Sequence, residues 1–248
     1  MSTLDPAAAA RALEAVRGGQ PRVHCLTNHV ARAFTANVLL AIGAVPSMSA
    51  DESEVGAFVS SADALLINLG TLEPSMRAAI QVAANVAAAN GQPSVLDPVF
   101  ADRSEARAAF ARNLLTRAPA ALRCNGNEAA ALGEAALAEA AGAGTVIALT
   151  GTVDHIRSLG RTVALDGGHP LMARVTAMGC ALGGVIAAFL TTGGDPFEAV
   201  GSACLLFKQA GASAGAASGG PGSFVPAFLD ALHGAAESGV LPEAKGDA

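Results

Sequence analysis

The feature that most constrains this fold is an alternation of short apolar runs, each broken off by polar or glycine residues, with stretches of helical spacing. Arg22 to Leu26 (RVHCL) stops at Thr27-Asn28, and His29 to Ile42 then carries apolar residues three and four apart. Val45 to Met48 reads as a short strand before a polar loop, and Ala64 to Leu69 (ALLINL) is an unbroken apolar run ending at Gly70-Thr71. Unbroken runs of that length mark strands buried on both faces. Glu73 to Asn90 is a long helix, with Pro74 in its first turn and Gly91 as its stop, leading to the strand Ser94 to Leu96 and then Asp97-Pro98. Ser104 to Arg117 is a helix and Ala121 to Arg123 a brief strand. A helix opens at Asn127, one Ala-rich helix fills the connection beyond Glu128, and Thr145 to Leu149 (TVIAL) is a strand stopping at Thr150-Gly151.

Strands that alternate with helices imply right-handed crossovers and an α/β fold, with a mainly parallel sheet covered on both faces. In such sheets ligand groups collect at the carboxyl ends of the strands. Thr27-Asn28, Gly70-Thr71, Asp97-Pro98, Arg123-Cys124-Asn125 and Thr150-Gly151 would therefore share one rim. Singly, each also suits an ordinary turn or helix cap. From Asp154 the pattern shortens, with turns at Ser158 to Arg161 and Asp166 to Gly168, which reads as an antiparallel section over residues 153–176, followed by three helices. Met1 to Gln20 is expected to be an amphipathic helix. No linker or internal repeat divides residues 1–248, and a single domain is expected.

Composition narrows the function. The chain is 52% hydrophobic and 15% charged, with net charge −6 and no run of Lys and Arg interleaved with aromatics, which argues against nucleic acid and anionic membrane as partners. Cys25, Cys124, Cys180 and Cys204 lie far apart, without a Cys-x-x-Cys pair or His at metal-ligand spacing, so neither a disulfide framework nor a zinc site is expected. The N-terminal stretch, with Arg11, Glu14 and Arg17, lacks an apolar signal core, and a cytoplasmic location is expected. The apolar stretch Cys180 to Leu190 is too short and glycine-broken to span a bilayer and suits a buried helix.

The most informative segment is Arg174 to Gly184 (RVTAMGCALGG), read as a strand ending at Thr176 and a helix beginning at about Gly179. The first N–H groups of a helix lack partners and its dipole favours negative charge, so such a junction can hold a phosphate or a developing oxyanion. The same residues would serve a plain strand-to-helix turn with small side chains for packing. Pattern alone leaves both open.

Val175-Thr-Ala-Met-Gly-Cys180 resembles the anion-hole motif of the hydroxyethylthiazole kinases, members of the ribokinase-like superfamily. Leu26 to Val30, Phe34 to Asn37, Ala44 to Met48, Asn68 to Leu72, Leu96 to Val99, Arg123 to Glu128, Leu149 to Gly151 and Gly220 to Phe224 are similar to that family in the same order, so the resemblance covers nearly the whole chain. It implies a three-layer αβα fold and transfer of a phosphoryl group from ATP, with Mg²⁺, to the primary alcohol of a thiazole. It assigns Ala177, Met178, Gly179 and Cys180 to the anion hole, with Cys180 facing the alcohol where most of the superfamily has an Asp base. A thiolate at a helix N-terminus can have a lowered pKa, whereas a neutral thiol is a poor proton acceptor. The resemblance places Arg123, Asn125, Thr150 and Gly151 on the nucleotide, Asp97 and Glu128 on Mg²⁺ directly or through water, and Asn28, Met48, Gly70, Thr71 and Ala177 on the thiazole. A homotrimer with sites between subunits is likewise implied.

Two departures stand out. Ala177-Met178 occupies positions where many relatives have Gly-Ala or Gly-Thr, which should narrow the anion hole, and Gly133 to Gly144 is shorter than the family pattern. Rival readings are a ribokinase-like kinase for a hydroxymethylpyrimidine, pyridoxal-type or sugar alcohol, which would normally carry Asp at position 180, and a non-catalytic nucleotide-binding relative. His24 and His29 flank the acceptor motif and are read as structural.

Overall fold

The computed structural model describes residues 4–238, so residues 1–3 of the expected first helix and residues 239–248 of the expected domain lie outside the described residues. Eight strands form one sheet: β1 (Arg22–Leu26), β2 (Val45–Ser47), β3 (Ala64–Asn68), β4 (Ser94–Asp97), β5 (Ala121–Asn125), β6 (Val146–Thr150), β7 (Asp154–Ser158) and β8 (Arg161–Leu165). Their spatial order is β2-β1-β3-β4-β5-β6-β7-β8, parallel from β2 to β6 and antiparallel through β7 and β8. After β1 the chain moves outward to β2 and then returns to the other side of β1 for β3. The β1–β3 boundary is therefore the topological switch point, where the connections diverge and leave a crevice.

Each parallel strand sends alternate side chains to two cores, as a period of two requires. Leu66, Val95, Ala121 and Ala148 join the apolar cluster beneath α1 (Pro6–Gly19), α2 (Arg32–Ala41), α8 (Met178–Leu190), α9 (Pro196–Ala216) and α10 (Pro221–Ser238). Leu65, Leu96, Leu122 and Ile147 face α4 (Pro74–Ala89), α5 (Glu105–Leu115), α6 (Gly126–Leu132) and α7 (Glu134–Gly142), with α3 (Val55–Ser60) packed against α4. This is the three-layer arrangement expected from the alternating pattern.

Helix α8 is apolar on nearly all sides and lies in the core. Gly183 lets it lie directly on the sheet, since a Cβ there would stand 2.8 Å from Leu66 Cδ1. That close approach brings its N-terminus over the ends of β3, β4 and β5. Among the described residues no helix is long and apolar enough to cross a membrane.

Three local expectations need correction. Residues before Thr176 do not form a strand: Pro170–Arg174 is a 3-10 turn, capped by the His169 ring accepting from Leu171 N–H at 3.2 Å, and the antiparallel section closes at Leu165. Pro170 presets the turn and has no N–H to give to a strand ladder. Two helices, α6 and α7, replace the single Ala-rich helix, because Gly133 at φ +88° breaks the run. The polar loop after β2 contains α3, too short for its periodicity to register.

Candidate active site

Residue parity builds the site. On β3, β4, β5 and β6, whose Leu66, Val95, Ala121 and Ala148 lie in the core on the α8 face, the residues two further on are Asn68, Asp97, Arg123 and Thr150. Four adjacent strands thus turn a polar side chain towards the α8 face at their carboxyl ends, with Asn68 opposite Asp97 in register. Arg123 Nη1 donates to Asp97 Oδ1 at 3.3 Å and Nη2 to Thr150 Oγ1 at 2.8 Å. Asp97 Oδ2 accepts from Asn68 Nδ2 at 2.7 Å.

The start of α8 meets this row. Ala177, its cap residue, sits in the left-handed region at φ 69° and provides no side-chain cap. An L-residue held there costs about 1 kcal/mol. Ala181 N–H reaches Ala177 O at 2.9 Å, so the N–H groups of Met178, Gly179 and Cys180 have no carbonyl partner within the helix. The Arg123 guanidinium lies flat against Gly179: a Cβ there would be 2.4 Å from Nη2 and 2.6 Å from Cζ. Arg123 Nε is buried without a hydrogen-bond partner. An orphaned cationic N–H beside three unpaired helix amides is a donor set for an anion.

On the switch-point side, Asn28 follows β1. Its Oδ1 accepts from Ala31 N–H at 2.9 Å, so its Nδ2 must be the atom that donates to Asn68 Oδ1 at 3.1 Å and to Cys180 Sγ at 3.4 Å. Gly70 packs against that amide, where a Cβ would lie 2.6 Å from Nδ2, and its N–H donates to Asn68 Oδ1 at 3.0 Å. Thr71 Oγ1 accepts from His29 N–H at 3.4 Å, and Met48 is half-buried against the core. Asn28, Gly70 and Cys180 are thus brought together, with Thr71 beside them. His24 is buried, bonded to Ser47 Oγ at 2.8 Å and Ser49 O at 2.9 Å, and so ties β1 to the chain after β2.

Electrostatics follow from burial. Asp97 is fully enclosed, and its carboxyl is pushed up to about 6 by desolvation, opposed by the Arg123 charge and reinforced by that of Glu128. Cys180 is pushed up to about 11, again chiefly by burial, with the Asp97 charge adding to it. The helix dipole does not overcome that, and at neutral pH this thiol keeps its proton. Glu128 closes a capping box at the start of α6, its Oε2 accepting from Asn125 N–H at 2.9 Å while the Asn125 side chain caps Asn127 and Glu128 N–H. Its Oε1 accepts from Phe100 N–H at 3.1 Å, which fastens the loop after β4.

Arg123, Glu128, Thr150 and the start of α8 border a cleft of about 860 Å³ that runs from Cys180 and Gly179 past Arg123, Thr150 and Gly151 to Met172 and Phe207. Asn28, Met48, Gly70 and Thr71 are not among its lining residues; Asn28 reaches its border through the contact with Cys180. Sequence reasoning missed Asn68, Asp154 and Lys208. Asn68 was legible as the one polar residue within the apolar run Ala64 to Leu69. Lys208 was legible as the one basic residue in a largely apolar helix, one of only two lysines in the chain. A second hollow of about 470 Å³, at the amino ends of β4 and β5, has its Gln92 and Arg117 engaged in structural hydrogen bonds.

The sheet order and this site define the fold as ribokinase-like. The chain superposes on a ribokinase-like superfamily protein from Enterococcus faecalis V583 with a TM-score of 0.68 at 16% identity, covering 94% of this chain and 95% of that one. Nearer likenesses narrow it. The hydroxyethylthiazole kinase protein from Pyrococcus horikoshii OT3 superposes with a TM-score of 0.85 at 36% identity, over 91% of this chain and 92% of that one. A hydroxyethylthiazole kinase from Klebsiella pneumoniae is 45% identical over 93% of this chain and 96% of its own length. The profile of the hydroxyethylthiazole kinase family matches residues 13–142 and 130–237, and the chain belongs to that family.

Proposed function

We propose that the protein transfers the γ-phosphoryl group of ATP to the primary alcohol of 5-(2-hydroxyethyl)-4-methylthiazole. Family membership supports the reaction. The observation that carries the site assignment is the Arg123 guanidinium lying against Gly179, with its buried Nε unpartnered, beside the uncapped start of α8. In this reading the cleft takes the nucleotide, with Arg123, Thr150 and Gly151 lining it and Asn125 beside them at the start of α6, and the switch-point side takes the thiazole against Asn28, Met48, Gly70 and Thr71, with Ala177, which lines the cleft, at the boundary. The alcohol oxygen then attacks the γ-phosphorus from beside Cys180 as the bond to the β-phosphate oxygen breaks, and ADP leaves.

The chain's own groups do most of this by position. The amides of Met178, Gly179 and Cys180 and the Arg123 fork stabilise charge on the transferring group, which suits a loose transition state. Cys180 accepts an N–H from Asn28 and holds its own proton, so it lines the alcohol's place rather than ionising as a base. The alcohol's proton passes to a phosphoryl oxygen.

Asp97 and Glu128 fit Mg²⁺ through water. Burial chiefly raises the pKa of Asp97, against the Arg123 charge and with that of Glu128 adding, and each Glu128 oxygen keeps a lone pair after its one amide bond. The ion would neutralise charge on the phosphates. We also read the protein as a cytoplasmic homotrimer. Exposed Val45 on the edge strand β2, with exposed Leu40 on α2 and Phe58 on α3, supports the association.

The test is ADP release coupled to a spectrophotometric readout, with the thiazole alcohol compared against hydroxymethylpyrimidine, pyridoxal and sugar alcohols, with and without Mg²⁺. Mg²⁺-dependent turnover with the thiazole is expected. Turnover only with another alcohol, or nucleotide binding without turnover, overturns the reading. Sedimentation at three times the chain mass is expected.

A further inference from the structure

Lys208 belongs to α9, among the apolar side chains that cover the sheet, and its side chain is 6% exposed. Its Nζ donates to Thr152 O at 2.8 Å, Gly151 O at 3.3 Å and Gly167 O at 3.3 Å, and stands 3.5 Å from Asp154 Oδ1. That same Asp154 oxygen accepts from Gly151 N–H at 2.9 Å. One ammonium is therefore caged by three main-chain carbonyls and a carboxylate, drawn from the loop 151–153 with the first residue of β7 and from the loop 166–169 after β8. Its aliphatic stem packs by Gly168, where a Cβ would come 3.8 Å from Lys208 Cγ. Lys208, Asp154 and both loops border the 860 Å³ cleft.

Burying an ammonium and a carboxylate together is weak evidence for stability, because an apolar pair of similar volume often does as well. The three carbonyls match the three N–H donors of the ammonium, so one cation holds both loops at a single point. What the cage does is geometric. A trans peptide points its N–H opposite to its C=O. Drawing the carbonyls of Gly151, Thr152 and Gly167 onto Lys208 turns the amides of Thr152, Val153 and Gly168 away from it. An anionic ligand in the cleft then meets loops whose carbonyl lone pairs are already taken by a cation.

We propose that Lys208 is a positioning residue for the nucleotide: a tethered cation that joins the β6–β7 and β8–α8 loops and keeps their carbonyl oxygens from repelling the bound phosphates. The inference rests on the reading that this cleft takes the nucleotide. It acts through the loops and not on the reacting atoms, so it should govern affinity for ATP and leave the thiazole side alone.

The experiment measures AMP-PNP binding by calorimetry and the KM values for ATP and thiazole in the full chain, for wild type, Lys208→Ala, and the charge-neutral pair Lys208→Met with Asp154→Asn, each checked by thermal melting. The double variant removes both buried charges, so it stays informative if the single variant folds poorly. Both should raise Kd for AMP-PNP and KM for ATP by about ten-fold or more, with kcat changed by less than about three-fold and the thiazole KM unchanged. Propylammonium, which replaces the atoms from Cγ to Nζ missing in Lys208→Ala, should lower the ATP KM again. A folded double variant with unchanged ATP affinity overturns the inference, as does an equal loss on the ATP and thiazole sides, or a folded Lys208→Ala that propylammonium leaves unaltered. Wild type that binds no AMP-PNP overturns the nucleotide reading along with it, whereas wild type that binds and variants that bind equally overturn this inference alone.

Discussion

Replacing Gly179 by Ala tests the junction on which the active-site reading stands. The added Cβ would fall 2.4 Å from Arg123 Nη2, while ordinary contact begins near about 3.4 Å, so the guanidinium must retreat by about 1 Å. It has little room to do so, because Nη2 is bonded to Thr150 Oγ1 at 2.8 Å and Nη1 to Asp97 Oδ1 at 3.3 Å. A retreat of that size stretches the Thr150 bond beyond useful range. Losing one charge-assisted hydrogen bond in a buried place costs about 2 kcal/mol of stability, which lowers the melting temperature of a chain of this size by about 4–8 °C. The kinetic effect should be larger, since displacing a phosphate-positioning group by about 1 Å costs on the order of 100-fold. We expect kcat/KM for ATP to fall by that order while the variant remains folded at 25 °C, measured by coupled ADP release and by calorimetric melting. A folded Gly179→Ala enzyme with kcat/KM for ATP within about two-fold of wild type would refute the placement of Arg123 at the α8 start.

Other outcomes follow from the same contacts. Arg123→Ala should weaken ATP use more than Arg123→Lys does, because the fork spans Asp97 and Thr150 at once and an ammonium cannot; equal losses would show that only charge matters. Cys180→Ala should lower kcat only moderately, and Cys180→Asp should keep or raise it, since the wild-type thiol is pushed up to about 11 and is not an ionised base; complete loss in the Asp variant would contradict this. For the nucleotide-free protein, Asp97 is raised from 3.8 to about 6, so the folded state binds more protons than the unfolded state between those values. Its contribution to stability is therefore fully present below 3.8 and is lost as pH rises through 6. Asp97→Asn lacks that dependence, so its melting temperature relative to wild type should be more favourable at about pH 7.5 than at about pH 5, and a pH-independent difference would count against a buried, perturbed carboxyl.

Much of the scaffold was legible because it is local. Apolar runs such as ALLINL and TVIAL, short and bounded by turn residues, read as strands covered on both sides, and Pro74 and Gly91 bracket α4 by their backbone restrictions. The polar residues at strand ends could be read as a rim, and parity could have singled out Asn68, since it shares a face with Leu66. The 3-10 turn at Pro170–Arg174 and the division into α6 and α7 were not legible, because they depend on what lies beside them and on one positive φ.

Sequence by itself determined the α/β alternation, the rim of polar strand ends and the resemblance to a kinase family, all of which rest on residue type and order along the chain. Only the tertiary structure decided which way the groups face and how they titrate. Asn28 turns an N–H to Cys180 because Ala31, three residues along, claims its oxygen. The Cys180 thiol stays protonated because burial outweighs the helix dipole, and Lys208 finds its carbonyl cage 41 to 57 residues away in sequence. Long-range distance and desolvation set those properties, and neither is a property of any short stretch of sequence.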